Sequence, residues 1–151
     1  MIKSDSLPLD APAVSHRALT VLYVTVCFCS GAGMMVIELA GIRLLSPMFG
    51  NSLYTWTALI GVVLIAFSVG GYLGGWLADR TISARCLGTL LFFAAISTLM
   101  VGPIHAVSAA SIDSLGLVVG PTVFSLILFT IPGCFLGAVS PYATRLSLIH
   151  I

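Results

Sequence analysis

Charged residues fall in short clumps along the chain and leave four long stretches that carry no formal charge. These stretches are residues 18–37, 44–78, 86–112 and 114–144. A bilayer core is about 30 Å thick, and a helix needs about 20 apolar residues to cross it. The pattern therefore predicts four transmembrane helices, at about 18–42, 55–78, 86–106 and 118–140.

Proline, glycine and asparagine mark the expected helix ends. Pro47 lacks the N–H that a helix interior requires, so we expect it to break the first helix. Gly50 and Asn51 are typical of the turn that would follow. Gly120-Pro121 is expected to open the fourth helix, because proline suits a first helical turn.

Residues 1–17 precede the first charge-free stretch. They contain Asp5, Pro8, Asp10 and Pro12 and are predicted to form a flexible cytoplasmic tail. A cleavable signal peptide is the alternative, but its apolar region usually spans only about 7–15 residues. We therefore expect the first helix to be retained.

The basic residues predict how the helices are oriented. Five of them fall in the tail, in the loop after the second helix and at the end of the chain: Lys3, Arg17, Arg80, Arg85 and Arg145. The loops on the opposite side contain only Arg43. Because cytoplasmic loops carry an excess of Lys and Arg, both chain termini are expected in the cytoplasm. The expected fold is an all-α integral membrane bundle of four helices.

The composition agrees with a membrane protein and excludes other classes. Of the 151 residues, 59% are apolar and 7% charged, against about 25% charged in soluble domains, and the mean hydropathy is +1.16. The net charge of +1 provides no basic surface for phosphates, so the expected partner is the lipid bilayer and not nucleic acid. The four cysteines form no CxxC motif and have no accompanying histidine pair, so we expect no metal and no cofactor.

Glycines recur at four-residue spacing in two of the predicted helices. The pairs are Gly70/Gly74 and Gly71/Gly75 in the second helix, and Gly133/Gly137 in the fourth. Such pairs let a neighbouring helix approach closely. They predict tight packing within one bundle more strongly than a specific dimer.

Glu38 and Arg43 lie at the predicted outer end of the first helix. Charges inside a membrane usually mark pathways, so these two residues are candidates for a polar network or a transport pathway. The alternative is an interfacial acid that reaches headgroups and water. Five residues correspond to about 140° around a helix, which is poorer for pairing than i, i+4 spacing. Partners on other helices therefore stay open for both side chains.

A short motif ends the second helix. Gly75-x-x-x-Asp79-Arg80 resembles the loop signature of the major facilitator superfamily, which implies transporter-like packing in a partial bundle of that kind. Where the signature continues with a second glycine and further basic residues, this chain has Ile82 and Ser83.

A longer set of motifs resembles the membrane half of fused proteins that join a major-facilitator-like transporter to a spermidine-synthase-like domain. The first motifs are Glu38-Leu-Ala-Gly-Ile-Arg43-Leu-Leu-Ser-Pro47-Met-Phe-Gly50-Asn-Ser52, then Trp56, and then Gly70-Gly-Tyr-Leu-Gly-Gly75-Trp-Leu-Ala-Asp79-Arg80. A last one, Gly137-Ala-Val-Ser-Pro141-Tyr-Ala-Thr-Arg145, resembles the end of a later helix in that family. The likeness spans about residues 31–145.

This resemblance implies a multi-pass protein of the bacterial inner membrane that is connected with polyamine biosynthesis. In that family, further helices and a soluble aminopropyltransferase-type domain follow, so those missing parts of a larger chain are expected partners. The chain has no paired aspartates or glycine-rich loop of such a domain. We therefore expect no catalytic residues here, and any spermidine-synthase activity would belong to the larger protein.

Two alternatives stay open from the sequence. A self-sufficient four-helix transporter would have a similar length and would place an acidic residue near the middle of the membrane. A non-transporting membrane anchor would tolerate a neutral residue in place of Glu38.

Residues 146–151 are identical to one translated frame of a transposon-end adapter used in short-read library preparation. We therefore expect the natural sequence to end near Arg145 and this segment to be a non-native tail. A genuine amphipathic tail is the alternative.

Overall fold

The structure is a computed structural model that describes residues 16–81, 83–112 and 116–149. Its helices are α1 (His16–Phe49), α2 (Leu53–Arg80), α3 (Ala84–Ile112) and α4 (Gly116–Ile149), and the described residues contain no strand. All four helices are long and apolar enough to cross a membrane. The prediction of an all-helical protein with four candidate spans is confirmed. Most of the predicted tail, residues 1–15, lies outside the described residues, as do residues 113–115 and 150–151.

Pro47 does not break α1, contrary to the prediction. The helix continues to Phe49, seven residues past the predicted boundary at 42. A proline removes the hydrogen bond that its own N–H would donate and crowds the carbonyl four residues earlier, but the turn that follows Pro47 still closes, because the Gly50 N–H donates to the Ser46 carbonyl oxygen at 2.9 Å. Gly50 then adopts a φ of +75°, the left-handed conformation that ends many helices.

α4 is also longer than the predicted span of 118–140, since it runs from Gly116 to Ile149 and contains three prolines: Pro121, Pro132 and Pro141. In a membrane, neighbouring helices and local backbone adjustments satisfy the groups that a proline frees. Gly120-Pro121 therefore lies in the second turn of the helix and not at its entry, and the helix passes the predicted boundary at 140 by nine residues. Leu146 belongs to the segment expected to be a non-native tail, yet it is buried in the same cluster as Tyr142.

α4 lies at the centre of the bundle. It contacts α2 most extensively and also packs against α1 and α3, whereas α1 and α3 barely meet. One cluster of buried side chains surrounds Leu45, Phe124 and Phe129, and a second surrounds Val139 and Tyr142. Half of the apolar window of α4 is buried (50%), against 11% for α3. α3 is thus the helix that the bundle covers least.

Glycines let α2 and α4 touch through their backbones. A Cβ atom on Gly70 would collide with the backbone of Cys134, and one on Gly74 with the backbone of Ala138. Two glycines of α4 complete the contact from the other side, and we call the four residues the glycine interface: Gly70, Gly74, Gly133 and Gly137. Close backbone approach of this kind is the property that small residues at four-residue spacing provide in membranes.

The second glycine pair of α2 differs from the first. A Cβ on Gly71 would lie 3.9 Å from the Gly137 carbonyl oxygen, which is an ordinary contact, and one on Gly75 would meet open space. Only one of the two overlapping pairs therefore forms the close contact with α4.

Candidate functional site

Glu38 lies deeper in α1 than the sequence predicted. Since the helix ends at Phe49, Glu38 precedes the last helical residue by eleven positions, or about 16 Å along the axis. The predicted boundary at 42 had left it only four positions from the end. An acid at this depth is separated from the helix end by more than two helical turns.

Packing contacts give the level of Glu38 within the bundle. Met34, one turn earlier in α1, lies against the middle of α4, where a Cβ on Gly133 would be 3.4 Å from the Met34 terminal methyl group. Glu38 lines a cavity together with Leu64 and Phe67 of α2, and these two residues lie next to the midpoint of that helix (Leu53–Arg80). Glu38 therefore lies within about one helical turn of the bundle's middle.

The cavity beside Glu38 lies between α1 and α2 and has a volume of about 200 Å³. Apart from Glu38, its lining is apolar: Gly31, Met34, Met35, Val63, Leu64 and Phe67. Glu38 itself is half-buried. Within the described part of the chain, its carboxylate forms no ion pair and no side-chain hydrogen bond.

The structure does not bring Arg43 to Glu38. Arg43 is exposed and lines a different cavity, together with Trp56 at the start of α2. No hydrogen bond or ion pair joins the two side chains. The rotation of about 140° between them explains why.

We expect the effects of Glu38→Gln and Arg43→Gln on stability to be additive. Two side chains without a shared partner should show an interaction energy below about 0.5 kcal/mol. The measurement is a double-mutant cycle on thermal unfolding of the chain in detergent. A coupling energy above about 1 kcal/mol would show a shared network that this geometry does not contain.

A second group of polar contacts surrounds the turn between α2 and α3. Ser83 precedes α3, and its hydroxyl oxygen accepts the Arg85 N–H at 3.3 Å. Thr81 follows α2, and its N–H donates to the Leu77 carbonyl oxygen at 2.9 Å. The two flanking residues thereby satisfy backbone groups that helix ends leave unpaired.

Tyr142 of α4 holds this turn from inside the bundle. Its side chain is 1% exposed. Its hydroxyl donates to the Thr81 carbonyl oxygen at 2.6 Å and accepts the Ser83 N–H at 3.1 Å. A single phenol thus bridges the end of α2 and the start of α3. The sequence motif included Tyr142 without assigning it a role, because nothing local indicates a partner about sixty residues away.

At the surface, an ion pair also joins α4 to the end of α2. The Arg145 guanidinium contacts the Asp79 carboxylate, and both side chains are more than half exposed, at 56% and 58%. The neighbouring Arg80 stacks its guanidinium over the Trp76 ring, 4.0 Å from the ring centroid. The motif residues Asp79 and Arg80 therefore have different partners. We call Asp79, Thr81, Ser83, Tyr142 and Arg145 the turn cluster.

The other predicted residues belong neither to the cavity lining nor to the turn cluster. Gly50 follows the last residue of α1, and Pro141 directly precedes Tyr142 in α4. His105 of α3 was not singled out from the sequence; its Nε2 lies 3.2 Å from the Leu44 carbonyl oxygen of α1. Among the described residues, no group of three or more His, Cys, Asp or Glu could hold a metal ion.

A scan against protein-family models found no match, and neither did searches of curated proteins and of solved structures.

Proposed function

We propose that this chain is the membrane domain of a larger, transporter-like protein that resembles the fused major-facilitator and spermidine-synthase proteins. The observation that supports the proposal is a direct contact between two sequence motifs that lie far apart in the chain. Gly75-x-x-x-Asp79-Arg80 and the segment ending in Arg145 were each related to that family by their residues, and the Asp79–Arg145 ion pair joins them in space.

The turn cluster supports a packing role for both motifs. Tyr142 fixes the turn between α2 and α3 through two backbone groups, and the ion pair adds a contact outside it. Exposed ion pairs contribute at most about 1 kcal/mol. The hydrogen bonds of the buried Tyr142 hydroxyl are therefore the main contacts that hold α4 against this turn. This arrangement holds α4 against the α2–α3 hairpin at one end of the bundle.

The sparse covering of α3 is consistent with a domain that continues. A groove of about 660 Å³ separates α1 from α3, with Leu136 of α4 among its lining residues. In the proposed protein, further helices of the larger chain pack beside α3, and a soluble aminopropyltransferase-type domain follows them. The protein would lie in the bacterial inner membrane with both ends of this domain in the cytoplasm.

The proposed orientation can be measured by cysteine labelling. In a variant without the native cysteines, Asn51→Cys should react with an impermeant thiol reagent added outside the cell, because Asn51 follows α1 on the side with fewer basic residues. Ser83→Cys, at the opposite end of α2, should react only after the membrane is permeabilised. Labelling of Ser83→Cys from outside would reverse the orientation.

The proposed division between membrane domain and enzyme also has a direct test. The purified chain, mixed with putrescine and decarboxylated S-adenosylmethionine, should form no spermidine. The coding sequence that follows the codon for Arg145 in the source genome should encode more helices and then the aminopropyltransferase-type domain. Spermidine above the blank, or a stop codon directly after Arg145, would contradict the proposal.

The depth of Glu38 favours a second candidate, a self-sufficient four-helix transporter. Such a protein needs an acidic residue near the middle of the membrane, and Glu38 lies within about one turn of the bundle's middle beside a cavity. Uptake of labelled putrescine by vesicles that contain only this chain would favour it. Uptake that is lost in Glu38→Gln would also exclude a membrane anchor that does not transport.

A further inference from the structure

We infer that the cavity between α1 and α2 is a binding site for a small organic cation, namely a protonated amine that carries a short apolar group. The inference starts from Glu38, which is the one ionisable residue that lines the cavity within the part of the chain that the structure describes. It does not depend on which domains follow this chain, so its failure would leave the proposed function standing.

Among the described residues, no cationic side chain pairs with Glu38. Arg43 lies at another cavity, and Arg80 and Arg145 have their partners at the far end of α2. No other cationic side chain among the described residues lines this cavity. Charged side chains at membrane depth are costly and usually pair with something of opposite sign. A cation in the cavity would provide that partner.

The remaining lining suits the apolar part of such a ligand. Met34 and Met35 offer flexible, polarisable thioethers that adapt to irregular shapes. Phe67 offers an aromatic ring, whose face attracts ammonium groups. A carboxylate beside an aromatic ring recognises a positive charge with hydrocarbon attached to it. An anion would be repelled by the carboxylate, and an uncharged polar molecule would lack the attraction that an ammonium group has for it.

The volume limits the size of the ligand. Pockets for drug-sized molecules measure about 300–1,000 Å³, and this cavity has about 200 Å³. A single ring or a short chain with one ammonium group fits that space. Because one carboxylate is present, a singly charged amine is the matched ligand.

Benzylamine, which is charged at neutral pH, tests the inference against benzyl alcohol, its neutral counterpart of the same shape. Both are titrated by calorimetry into the 151-residue chain in detergent micelles, with empty micelles as the blank. We expect saturable binding of the amine and none of the alcohol. Equal binding of both would show an apolar cavity only, and absence of amine binding would overturn the inference.

Two variants assign the binding to this cavity. Glu38→Gln keeps the shape of the side chain and should weaken amine binding by about tenfold or more, as expected when a charged hydrogen-bond partner is lost. Arg43→Gln removes a charge that lies on the same helix but outside the cavity and should leave binding unchanged. Unchanged binding in Glu38→Gln, or an equal loss in Arg43→Gln, would overturn the assignment.

Discussion

Gly74→Ala should destabilise the bundle by about 1–3 kcal/mol or more, the range found when extra atoms are forced into a packed core. A methyl group at this position would collide with the backbone of Ala138. Because the obstacle is backbone and not the end of a flexible side chain, α2 and α4 can make room only by moving apart. We would measure the free energy of unfolding in detergent by titration with a denaturant.

Gly75→Ala is the matched control for this experiment. It makes the same change one residue further along the same helix, where a Cβ meets open space. Alanine favours a helix over glycine by up to about 1 kcal/mol, so this variant should be neutral or slightly more stable. Equal destabilisation by both substitutions would mean that α2 and α4 do not meet through the glycine interface.

Tyr142→Phe should cost about 0.5–1.5 kcal/mol, although it removes a single oxygen atom. The variant leaves the Thr81 carbonyl and the Ser83 N–H without the partner that each has in the native protein. Because Thr81 is exposed and Ser83 part-exposed, the loss is that of ordinary hydrogen bonds and not of fully buried ones. We expect a lower free energy of unfolding together with faster hydrogen exchange at the Ser83 amide.

The control is Tyr54→Phe, which removes the same oxygen from an exposed residue of α2. Tyr54 is 64% exposed and is the second residue of the helix, so its hydroxyl has solvent or headgroups available and its loss should change stability by less than about 0.5 kcal/mol. If Tyr142→Phe changed stability no more than Tyr54→Phe does, the turn between α2 and α3 would not depend on the Tyr142 phenol.

The number and rough position of the helices could be predicted because their cause is local. A stretch without charge that is long enough to cross a bilayer is a property of neighbouring residues, and all four such stretches became helices. The ends could not be predicted in the same way. Pro47 was interpreted by the rules for soluble helices, whereas it lies inside α1 here.

The misplaced end of α1 also displaced the interpretation of Glu38. With the helix ending near 42, Glu38 belonged to the interface; with the helix ending at Phe49, it lies close to the middle of the bundle. The charge pattern singled out Glu38 but placed it near the membrane interface. Depth in a membrane depends on where the whole helix ends, and α1 continues past Pro47 to Phe49.

Contacts between distant residues were the least predictable feature. Asp79 and Arg145 were each singled out, but their spacing of 66 positions contains no information about which helix ends lie side by side. The glycine pairs behaved similarly. Their spacing indicated close packing, yet only the three-dimensional arrangement distinguishes Gly74, which meets α4, from Gly75, which does not.

The central position of α4 has a consequence for biosynthesis. The helix whose apolar window is buried most completely leaves the ribosome after the other three, so α1, α2 and α3 must wait for it in the bilayer with few contacts among themselves. During that interval the Gly70–Gly74 face of α2 is open to lipid and to other proteins. Translation that stops before α4 should therefore yield an unassembled intermediate that cellular quality control removes quickly.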